Sequence, residues 1–390
     1  MYLHLDEVFS TEELTDVFKQ LIQIPSENPG DFEEKIALKI QSILKEEGID
    51  SELKYVDENR TNLYAILEGE MEGKTLLYNG HLDTVPAGGN WEHNPFSAYE
   101  DDEGYIYGRG AADMKSGVAA MLYATICLKR LGYPKKGRLI LFLNADEEVF
   151  NIGMHQFLKE NIEVDYAIIS EPTDLDIAIG HKGTARYTIH TKGTAGHAAY
   201  VLEPDNAIQK MNIILSTLFQ YSEGIRKLKP HDFFGSATSN VTTIEGGITE
   251  NIIPNSCSII VDRRVLPGET NKGVLAEYNE LLTETDVEYE INTKTFVPSF
   301  LLDKEHSLVK SVYDVIEKNQ ENVKIKAFEA TCEAPFLAVE KDIPTIIYGP
   351  GSLNQAHVTN ERVHKSQLET AGRNFVFICL SLLENEVDKL

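Results

Sequence analysis

The sequence predicts an α/β protein in which a mostly parallel central sheet, flanked by helices, is interrupted by a smaller ferredoxin-like α+β domain. Three observations predict this arrangement. Helical and strand patterns alternate through the first half of the chain, as they do in α/β folds. Strand runs such as LILFL and YAII are apolar throughout, which is typical of strands covered on both faces. From about residue 184 the order becomes β-α-β-β-α-β, the order of a ferredoxin-like unit.

The first part of the larger domain is expected over residues 1–183. Apolar residues at the helical period predict helices over TEELTDVFKQLIQI and DFEEKIALKIQSILKEEG, and TNLYAILEG and KTLLYNG have the pattern of strands. A helix over MKSGVAAMLYATICLKRLG should end at Gly132, because glycine favours the left-handed conformation that follows a helix. The strand GRLILFLNA, a short helix near NIGMHQFLKE and the strand DYAIISEP follow.

The smaller domain is expected over residues 184–296. Its predicted strands are ARYTIHTKG, ATSNVTTIEGG, CSIIVDRRV and VEYEINTKTF, and its predicted helices are DNAIQKMNIILSTLFQYSEGI and NKGVLAEYNELLTE. After Pro298 the α/β pattern resumes with the helix HSLVKSVYDVIEKN, the strand PTIIYGPG and the helix KSQLETAGRNFVFICLSLLENE. Residues 297–390 therefore return to the larger domain, and the middle unit is an insertion into it.

Composition narrows the function classes. At 390 residues the chain is long enough for more than one domain, and 42% of its residues are apolar, as in globular proteins. A net charge of −26, with no Lys/Arg cluster to offset it, disfavours nucleic acid as a partner. Apolar runs stay shorter than the roughly 18–20 residues needed to cross a bilayer, so we expect no membrane span. The N-terminus MYLHLDEVFSTEEL lacks the features of a signal peptide, which predicts a cytoplasmic protein.

The four cysteines lie far apart and form no CxxC pair, so a metal site in this chain would have to use histidine and carboxylate. Such side chains follow several of the predicted strands. They are His81 and Asp83 after TLLYN, Asp146, Glu147 and Glu148 after LILFL, Glu171 after YAII, and His357 after TIIYGPGSLNQA, with Asp113 in a loop before a helix.

Taken singly, each of these residues has an ordinary structural explanation. An acid after a strand often caps the next helix, which is the role we assign to Asp146, and a lone histidine is commonly structural. Taken together they indicate a shared site, because the carboxyl ends of parallel strands lie at one edge of a sheet, where ligands bind. Nitrogen and oxygen ligands suit Zn²⁺, and this set exceeds the needs of one tetrahedral ion. The residues therefore predict a hydrolase with two metal ions about 3.5–4 Å apart that share a carboxylate.

The same residues lie in an ordered series of motifs that covers nearly the whole chain. The series is YNGHLDTVP, GRGAADMKSG, NADEEV, SEPTDL, HKG, GTAGHAA, VDRRVLPGE and GPGSLNQAHVTNERV. In it the sequence resembles the metallopeptidase and deacylase family that includes acetylornithine deacetylase, succinyl-diaminopimelate desuccinylase, aminoacylase and the glutamate carboxypeptidases. The resemblance implies a two-zinc catalytic domain, with cobalt as a possible substitute, and a lid domain through which we expect a homodimer to form.

The resemblance also implies a role for each metal-type residue. Of these, His81 and Glu171 would bind one metal ion, Glu148 and His357 the other, Asp113 would bridge the two ions, and Glu147 would be the catalytic base. Local patterning alone does not rank Glu147 against Glu148. Asp83 would accept a ring N–H hydrogen bond from His81 and so orient that histidine. The family also has a cis peptide after the bridging aspartate, here Asp113-Met114.

In the lid domain, the resemblance assigns three further residues. His197 in GTAGHAA matches a histidine that reaches the partner's active site in dimeric relatives and stabilises the oxyanion there. Arg264 matches an arginine that binds the substrate carboxylate, for which the planar guanidinium is suited. Its neighbour Arg263 should point to the opposite face of the strand. Asn251 in ENIIPN matches an asparagine near the same carboxylate.

Substrate class is the least determined property. TCEAPF at 331–336, GPGSLNQAH, SEPTDL and HKG look like the segments of acetylornithine deacetylase, and a TSDGRF-like segment typical of desuccinylases is absent. GHAAYVLEPDNAI and MKSG depart from the usual pattern. We therefore expect a small-molecule N-acyl amino acid, best matched by N2-acetylornithine. A desuccinylase, a dipeptidase and a non-catalytic binding protein that has lost its metals remain alternatives.

Overall fold

The computed structural model describes residues 5–200, 205–228 and 230–384. The chain divides into two compact units, of which one comprises the residues up to Gly180 together with those from Leu302 onward, and the other comprises His181–Leu301. The smaller unit is inserted into the larger one, and the sequence-based limits of 184–296 lie just inside it. Among the described residues, no helix is long and apolar enough to cross a membrane.

The helices occur in both units. They are α1 Leu5–Val8, α2 Thr11–Ile22, α3 Glu34–Glu46, α4 Ser116–Arg130, α5 Ile152–Phe157, α6 Ala207–Lys227, α7 Asn271–Thr283, α8 Ser307–Asn319, α9 Ala334–Ala338 and α10 Lys365–Glu384. Short helical turns span Ala111–Lys115 and Leu353–Gln355.

The strands are more numerous than the sequence predicts. They are β1 Ser51–Asp57, β2 Arg60–Glu68, β3 Met71–His81, β4 Tyr99–Glu100, β5 Tyr105–Tyr107, β6 Lys136–Asn144, β7 Tyr166–Ile169, β8 Ile177–His181, β9 Gly183–Lys192, β10 Gly196–His197, β11 Thr238–Gly246, β12 Ile252–Ile253, β13 Ser256–Val265, β14 Tyr289–Val297, β15 Phe300–Leu301, β16 Ile325–Phe328, β17 Thr345–Ile347 and β18 Arg362–His364.

The main sheet of the larger unit has the strand order β1-β2-β6-β3-β7-β17-β8. Its central strands β6, β3, β7 and β17 run parallel, while β1, β2 and β8 pair antiparallel with their neighbours. Only a two-residue turn, Glu58–Asn59, separates β1 from β2, and so short a connection requires antiparallel pairing. The predicted α/β architecture is confirmed, and the sheet is mixed, with its parallel strands at the centre.

Local sequence signals explain where the first helices begin and end. Ser10 precedes α2, and its hydroxyl accepts the N–H of Glu13 at 3.2 Å, which satisfies one of the free amide groups of the first turn. The helix α4 is followed by Gly132 at a φ of +72°, as the sequence predicts. Because α4 is buried from Ser116 to Leu128, it is apolar on nearly all sides, unlike the amphipathic α2.

The smaller unit is a four-stranded antiparallel sheet with the order β11-β13-β9-β14, packed against α6 and α7. This is the ferredoxin-like arrangement that the sequence predicts. Alternate residues of the strands, such as Tyr187, Ile189 and Val261, pack against Met211 and Tyr278 of the helices. One face of the sheet therefore builds the core of this unit, in keeping with the two-residue period of strand side chains.

Candidate active site

The metal-type residues of the larger unit lie where the central strands end. His81 is the last residue of β3, Glu147 and Glu148 follow β6, and Glu171 follows β7. His357 lies in the loop after β17. Since these four strands are adjacent and parallel, their carboxyl ends share one edge of the sheet. The edge predicted from the sequence as a ligand site is therefore present.

Two groups of possible metal ligands share Asp113. One is His81, Asp113 and Glu171, and the other is Asp113, Glu148 and His357. Asp113 Oδ1 lies 3.0 Å from His81 Nε2, and its Oδ2 lies 3.3 Å from His357 Nε2. The two oxygens of one carboxylate thus face two different histidines, as a bridging ligand must.

The remaining distances complete both groups. Glu171 Oε1 lies 3.7 Å from His81 Nε2, and Glu148 Oε2 lies 3.2 Å from His357 Nε2. Each group therefore offers one imidazole nitrogen and two carboxylates, a donor set that suits zinc and similar divalent ions. The residues present fit a pair of divalent metal ions, and the pairing of ligands is the one that the resemblance implies.

Asp83 contacts His81 through a different atom from the one we expected. His81 Nδ1 lies 2.8 Å from the backbone oxygen of Asp83, whereas the Asp83 carboxylate is 3.7 Å away. A carbonyl oxygen can only accept, so Nδ1 carries the proton and Nε2 is free to bind metal. The expected hydrogen bond to the carboxylate is wrong because that carboxylate accepts the backbone N–H groups of Glu147 at 3.0 Å and Glu148 at 3.2 Å.

The acidic side chains of the site repel one another, and this repulsion contributes to their shifted pKa values. Burial raises the pKa of Glu171 well above its ordinary value, and the charge of Asp113 raises it further. The pKa of Glu148 is raised for the same two reasons. Burial also acts on Asp113, but hydrogen bonds to His357 and His81 outweigh it and hold the pKa of Asp113 low. Cations are needed to offset this charge, and bound metal ions would supply them.

Glu147 belongs to a third group of side chains, which shares Glu171 with the first group. Carboxylate oxygens of Glu147, Glu171 and Glu333 lie within 4.8 Å of one another. Burial raises the pKa of Glu147 well above its ordinary value, and the charge of Glu333 contributes next. A carboxylate that holds a proton readily is suited to general acid–base chemistry near neutral pH. Glu148, in contrast, faces His357, so the structure separates two neighbours that local patterning could not rank.

Sequence reasoning missed two buried acids of this site. Glu333 belongs to the segment TCEAPF, which we used only to compare substrate classes, and it is fully buried. Glu361 belongs to the segment VTNERV, and its carboxylate accepts the backbone N–H groups of Ala112 and Asp113 at 2.8 and 3.0 Å. A single acid in a loop gives no periodic signal, so only the tertiary structure shows these contacts.

The turn that carries Asp113 has the expected backbone. The peptide bond between Asp113 and Met114 is cis, as the resemblance implies. Asp146, which we expected to be a cap, does accept the N–H of Ile152 at 3.3 Å. Its other oxygen lies 2.8 Å from Arg60 Nη1, so Asp146 is also one half of a buried ion pair.

The three lid residues belong to the smaller unit. His197 is exposed in β10, and its ring lies 5.1 Å from that of Tyr200. The backbone oxygen of Asn251 accepts the N–H of Ala198 at 3.1 Å, which ties the His197 segment to the Asn251 loop. Of the segment GHAAYVLEPDNAI, residues 201–204 lie outside the described residues. The catalytic role of His197 and the substrate-binding role of Asn251 stay predictions.

Arg263 and Arg264 point to opposite faces of β13, as the sequence predicts. Arg263 is buried and donates to Glu269 at 2.5 Å. Arg264 is 38% exposed and donates to Asp262 at 3.1 Å and to Thr184 at 3.0 Å. Its guanidinium is therefore held by neighbouring side chains yet open to solvent, which leaves it able to receive a carboxylate.

Comparisons with known proteins identify the family. Residues 77–379 match the sequence model of peptidase family M20/M25/M40. The acetylornithine deacetylase of Vibrio campbellii is 31% identical over 337 residues, which cover 84% of this chain and 86% of that protein.

Solved structures share the fold. Aminopeptidase PepT from Bacillus cereus has a TM-score of 0.79 at 21% identity and covers 96% of this chain and 99% of its own. The YXEP protein of Bacillus subtilis, a dinuclear metal-binding peptidase of the M20 family, has a TM-score of 0.74 at 17% identity, with coverages of 96% and 98%. The chain belongs to peptidase family M20/M25/M40 and is a metal-dependent hydrolase.

Proposed function

We propose that the protein hydrolyses the amide bond of an N-acyl amino acid at a pair of divalent metal ions, with N2-acetylornithine as its substrate. The observation that carries the reaction type is the position of Asp113, whose two oxygens face His81 and His357. Glu148 and Glu171 complete the two ligand groups. A site with this donor set, and with the carboxylate of Glu147 nearby, is suited to metal-dependent hydrolysis.

Glu147 is the proposed general base. Its carboxylate lies beside Glu171 and Glu333, while its backbone N–H is fixed by Asp83. When bound, divalent metal ions polarise the substrate carbonyl and lower the pKa of the attacking water. Glu147 accepts a proton from that water and then gives it to the leaving nitrogen. The raised pKa of Glu147 makes it a stronger base for the uptake of this proton.

The smaller unit supplies the proposed substrate contacts. We infer that Arg264 binds the carboxylate of the amino acid, with Asn251 beside it, and that His197 stabilises the oxyanion in a homodimer formed through this unit. The exposed, hydrogen-bonded guanidinium of Arg264 supports the first assignment. One good oxyanion donor contributes about 3 kcal/mol to the transition state.

Substrate identity rests on two supports. The curated relative from Vibrio campbellii is an acetylornithine deacetylase, and the segment TCEAPF looks like the corresponding segment of such enzymes. TCEAPF also carries Glu333, which lies beside the proposed base. The segment used to compare substrates is therefore part of the site itself, which supports the comparison.

The test is an assay of zinc-loaded and cobalt-loaded protein against acetylornithine, succinyl-diaminopimelate, acetyl-methionine and simple dipeptides. We expect acetylornithine to give the highest kcat/KM. Cleavage of dipeptides alone would overturn the deacetylase assignment, and cleavage of the succinyl substrate alone would assign a desuccinylase instead. A protein that takes up no metal and cleaves nothing would be the binding protein that we kept as an alternative.

The base assignment has its own test. Glu147→Gln keeps the shape of the side chain but cannot take a proton, so turnover should fall by about 10²–10⁴-fold while metal uptake persists. Glu100→Gln is a matched control, because Glu100 binds Lys19 and Lys365 away from the ligand groups. Full turnover by Glu147→Gln would refute the assignment.

A further inference from the structure

A set of buried polar side chains in the larger unit is connected to Asp83 by hydrogen bonds. Its members are Glu33, Asn28, Arg60 and Asp146, and each is less than 9% exposed. None of the four is among the proposed metal ligands or substrate contacts. Buried polar groups are costly unless they are paired, so a connected set of them needs a reason.

Arg60 is the cation of this set and binds two acids at once. Its Nη2 and Nε donate to the two oxygens of Glu33 at 2.7 and 3.2 Å, and its Nη1 lies 2.8 Å from Asp146 Oδ1. A guanidinium presents its donors in a fixed fork, so it holds both carboxylates in defined positions. Removal of this charge would leave two buried carboxylates without their cation.

Asn28 connects this ion pair to Asp83. Its side-chain nitrogen donates to Asp83 Oδ2 at 2.8 Å and to Asp146 Oδ1 at 2.7 Å. An asparagine amide nitrogen carries two hydrogens, so both bonds can form together. Neither an aspartate, which lacks a donor when ionised, nor a serine, which has one, could join two carboxylates in this way.

Asp83 in turn holds the backbone of Glu147, the proposed base, and of Glu148, a proposed metal ligand. Its two oxygens accept the N–H groups of Glu147 and Glu148. Immediately before this pair, Asp146 has a φ of +68°, a left-handed conformation that an aspartate adopts at some cost. The backbone N–H of Asp146 donates to Glu33 at 3.1 Å, so the same set of side chains also holds the strained residue.

We propose that Asn28 and Arg60 are positioning residues for catalysis. Through Asp146 and Asp83 they hold the backbone of Glu147 and so set the orientation of its side chain. Hydrogen bonds run without a break from Arg60 to Asp146, Asn28 and Asp83, and then to the backbone of the base. The proposal rests on the proposed function in one respect, namely that Glu147 is the base. It requires no particular substrate.

The test uses full-length protein saturated with metal and whichever substrate the wild type hydrolyses. Asn28→Ala removes the two donors, and Arg60→Lys keeps the charge but not the fork. We expect each to lower kcat by about 10–100-fold, the usual range for residues that orient active-site groups, with KM changed less than about twofold. Arg130→Lys is the matched control, because Arg130 also binds two acids, Glu13 and Glu47, but at the surface.

The double variant separates a positioning role from general damage. If both residues act through one chain of contacts, Asn28→Ala/Arg60→Lys should be about as slow as the slower single variant. The proposal would be overturned if the losses of kcat in the two single variants multiplied in the double variant. It would also be overturned if both single variants kept the wild-type kcat while Glu147→Gln was inactive. Activity in Glu147→Gln would instead overturn the base assignment.

A variant with an intermediate effect keeps the test decisive if Asn28→Ala folds poorly. Asn28→Ser retains one donor hydrogen, so it can bond to one of the two acids at a time. We expect its kcat to lie between those of the wild type and Asn28→Ala at equal metal content. A wild-type kcat for Asn28→Ser, together with a wild-type KM, would contradict the requirement for two donors.

Discussion

The carboxylate of Glu361 binds the backbone of Asp113, the residue that faces both histidines of the site. One oxygen accepts the N–H groups of Ala112 and Asp113, and the other accepts that of Gly110 at 3.1 Å and the guanidinium of Arg109 at 2.5 Å. Glu361 lies only four positions after His357 in the chain. One loop thus supplies a proposed ligand and also fixes the turn that carries Asp113, the proposed bridging ligand.

Replacement of Glu361 should weaken metal binding. Glu361→Gln puts an NH₂ group where an oxygen now accepts two donors, so the Asp113 turn loses part of its support. We expect the affinity for zinc to fall by about 10–100-fold, as for other residues that orient metal ligands. Competition with a chromogenic chelator measures this affinity. Glu100→Gln should bind zinc like the wild type, and equal affinity in Glu361→Gln would refute the role.

Metal uptake should release protons and stabilise the fold. Hydrogen bonds to Asp113 and Glu148 raise the pKa of His357 to about 10, so this histidine is protonated at pH 7 in protein stripped of metal. A ligand histidine must be neutral, so binding displaces the proton and affinity should fall as the pH falls.

Calorimetric titration in two buffers of different ionisation enthalpy measures this proton release. At a free zinc concentration 100 times Kd, the native state should gain about 2.7 kcal/mol over stripped protein, seen as a higher Tm. Heats that are identical in the two buffers would contradict the protonated state of His357.

A pair of glycine substitutions tests how closely two segments of the site approach. A Cβ built on Gly117, at the start of α4, would lie 2.1 Å from the backbone oxygen of Ser170, next to Glu171. Gly117→Ala should therefore destabilise the protein by about 1–3 kcal/mol and lower its metal affinity. In contrast, a Cβ at Gly224 in α6 meets nothing within 4 Å.

Gly224→Ala is the matched control for this pair. It should stabilise the protein by up to about 1 kcal/mol, since alanine favours a helix interior. Urea unfolding measures both variants. A loss of stability in Gly117→Ala no larger than in Gly224→Ala would show that the contact with Ser170 is not tight.

The smaller unit should lose stability in mild acid through His181. Burial lowers the pKa of His181 to about 4 from an ordinary 6.5, and the charge of Arg264 lowers it too. His181 is therefore protonated below about pH 6.5 in the unfolded chain but only below about pH 4 in the folded chain. The contribution of His181 to stability is complete above pH 6.5 and is lost as the pH falls toward 4.

Between pH 7.5 and 5.5 this loss amounts to about 1 kcal/mol. His181→Asn should remove it, because asparagine does not titrate and can still donate to the Lys182 oxygen, which lies 2.8 Å from His181 Nδ1. Urea midpoints at the two pH values compare this variant with the wild type and with His190→Asn, a control at a partly exposed histidine. An equal loss in all three proteins would rule out His181 as the source.

The strand pattern of the sequence predicts, without any tertiary information, that the metal-type residues lie close together. His81, Glu148, Glu171 and His357 each follow an apolar strand, and parallel strands must end at the same edge. Glu333, Glu361 and Asn28 follow no such rule. They come from loops far apart in the chain, and their contacts depend on how those loops fold over the sheet edge.

The sequence by itself determined the α/β unit, the inserted ferredoxin-like unit and the edge at which acids and histidines gather, because these follow from local periodicity and strand direction. Only the tertiary structure decided what each acid contacts. Adjacent in sequence, Asp146 pairs with Arg60, Glu147 lies beside Glu333, and Glu148 faces His357. Neighbouring residues that leave a strand point in different directions, and the distant segments that meet them there are brought close only by folding.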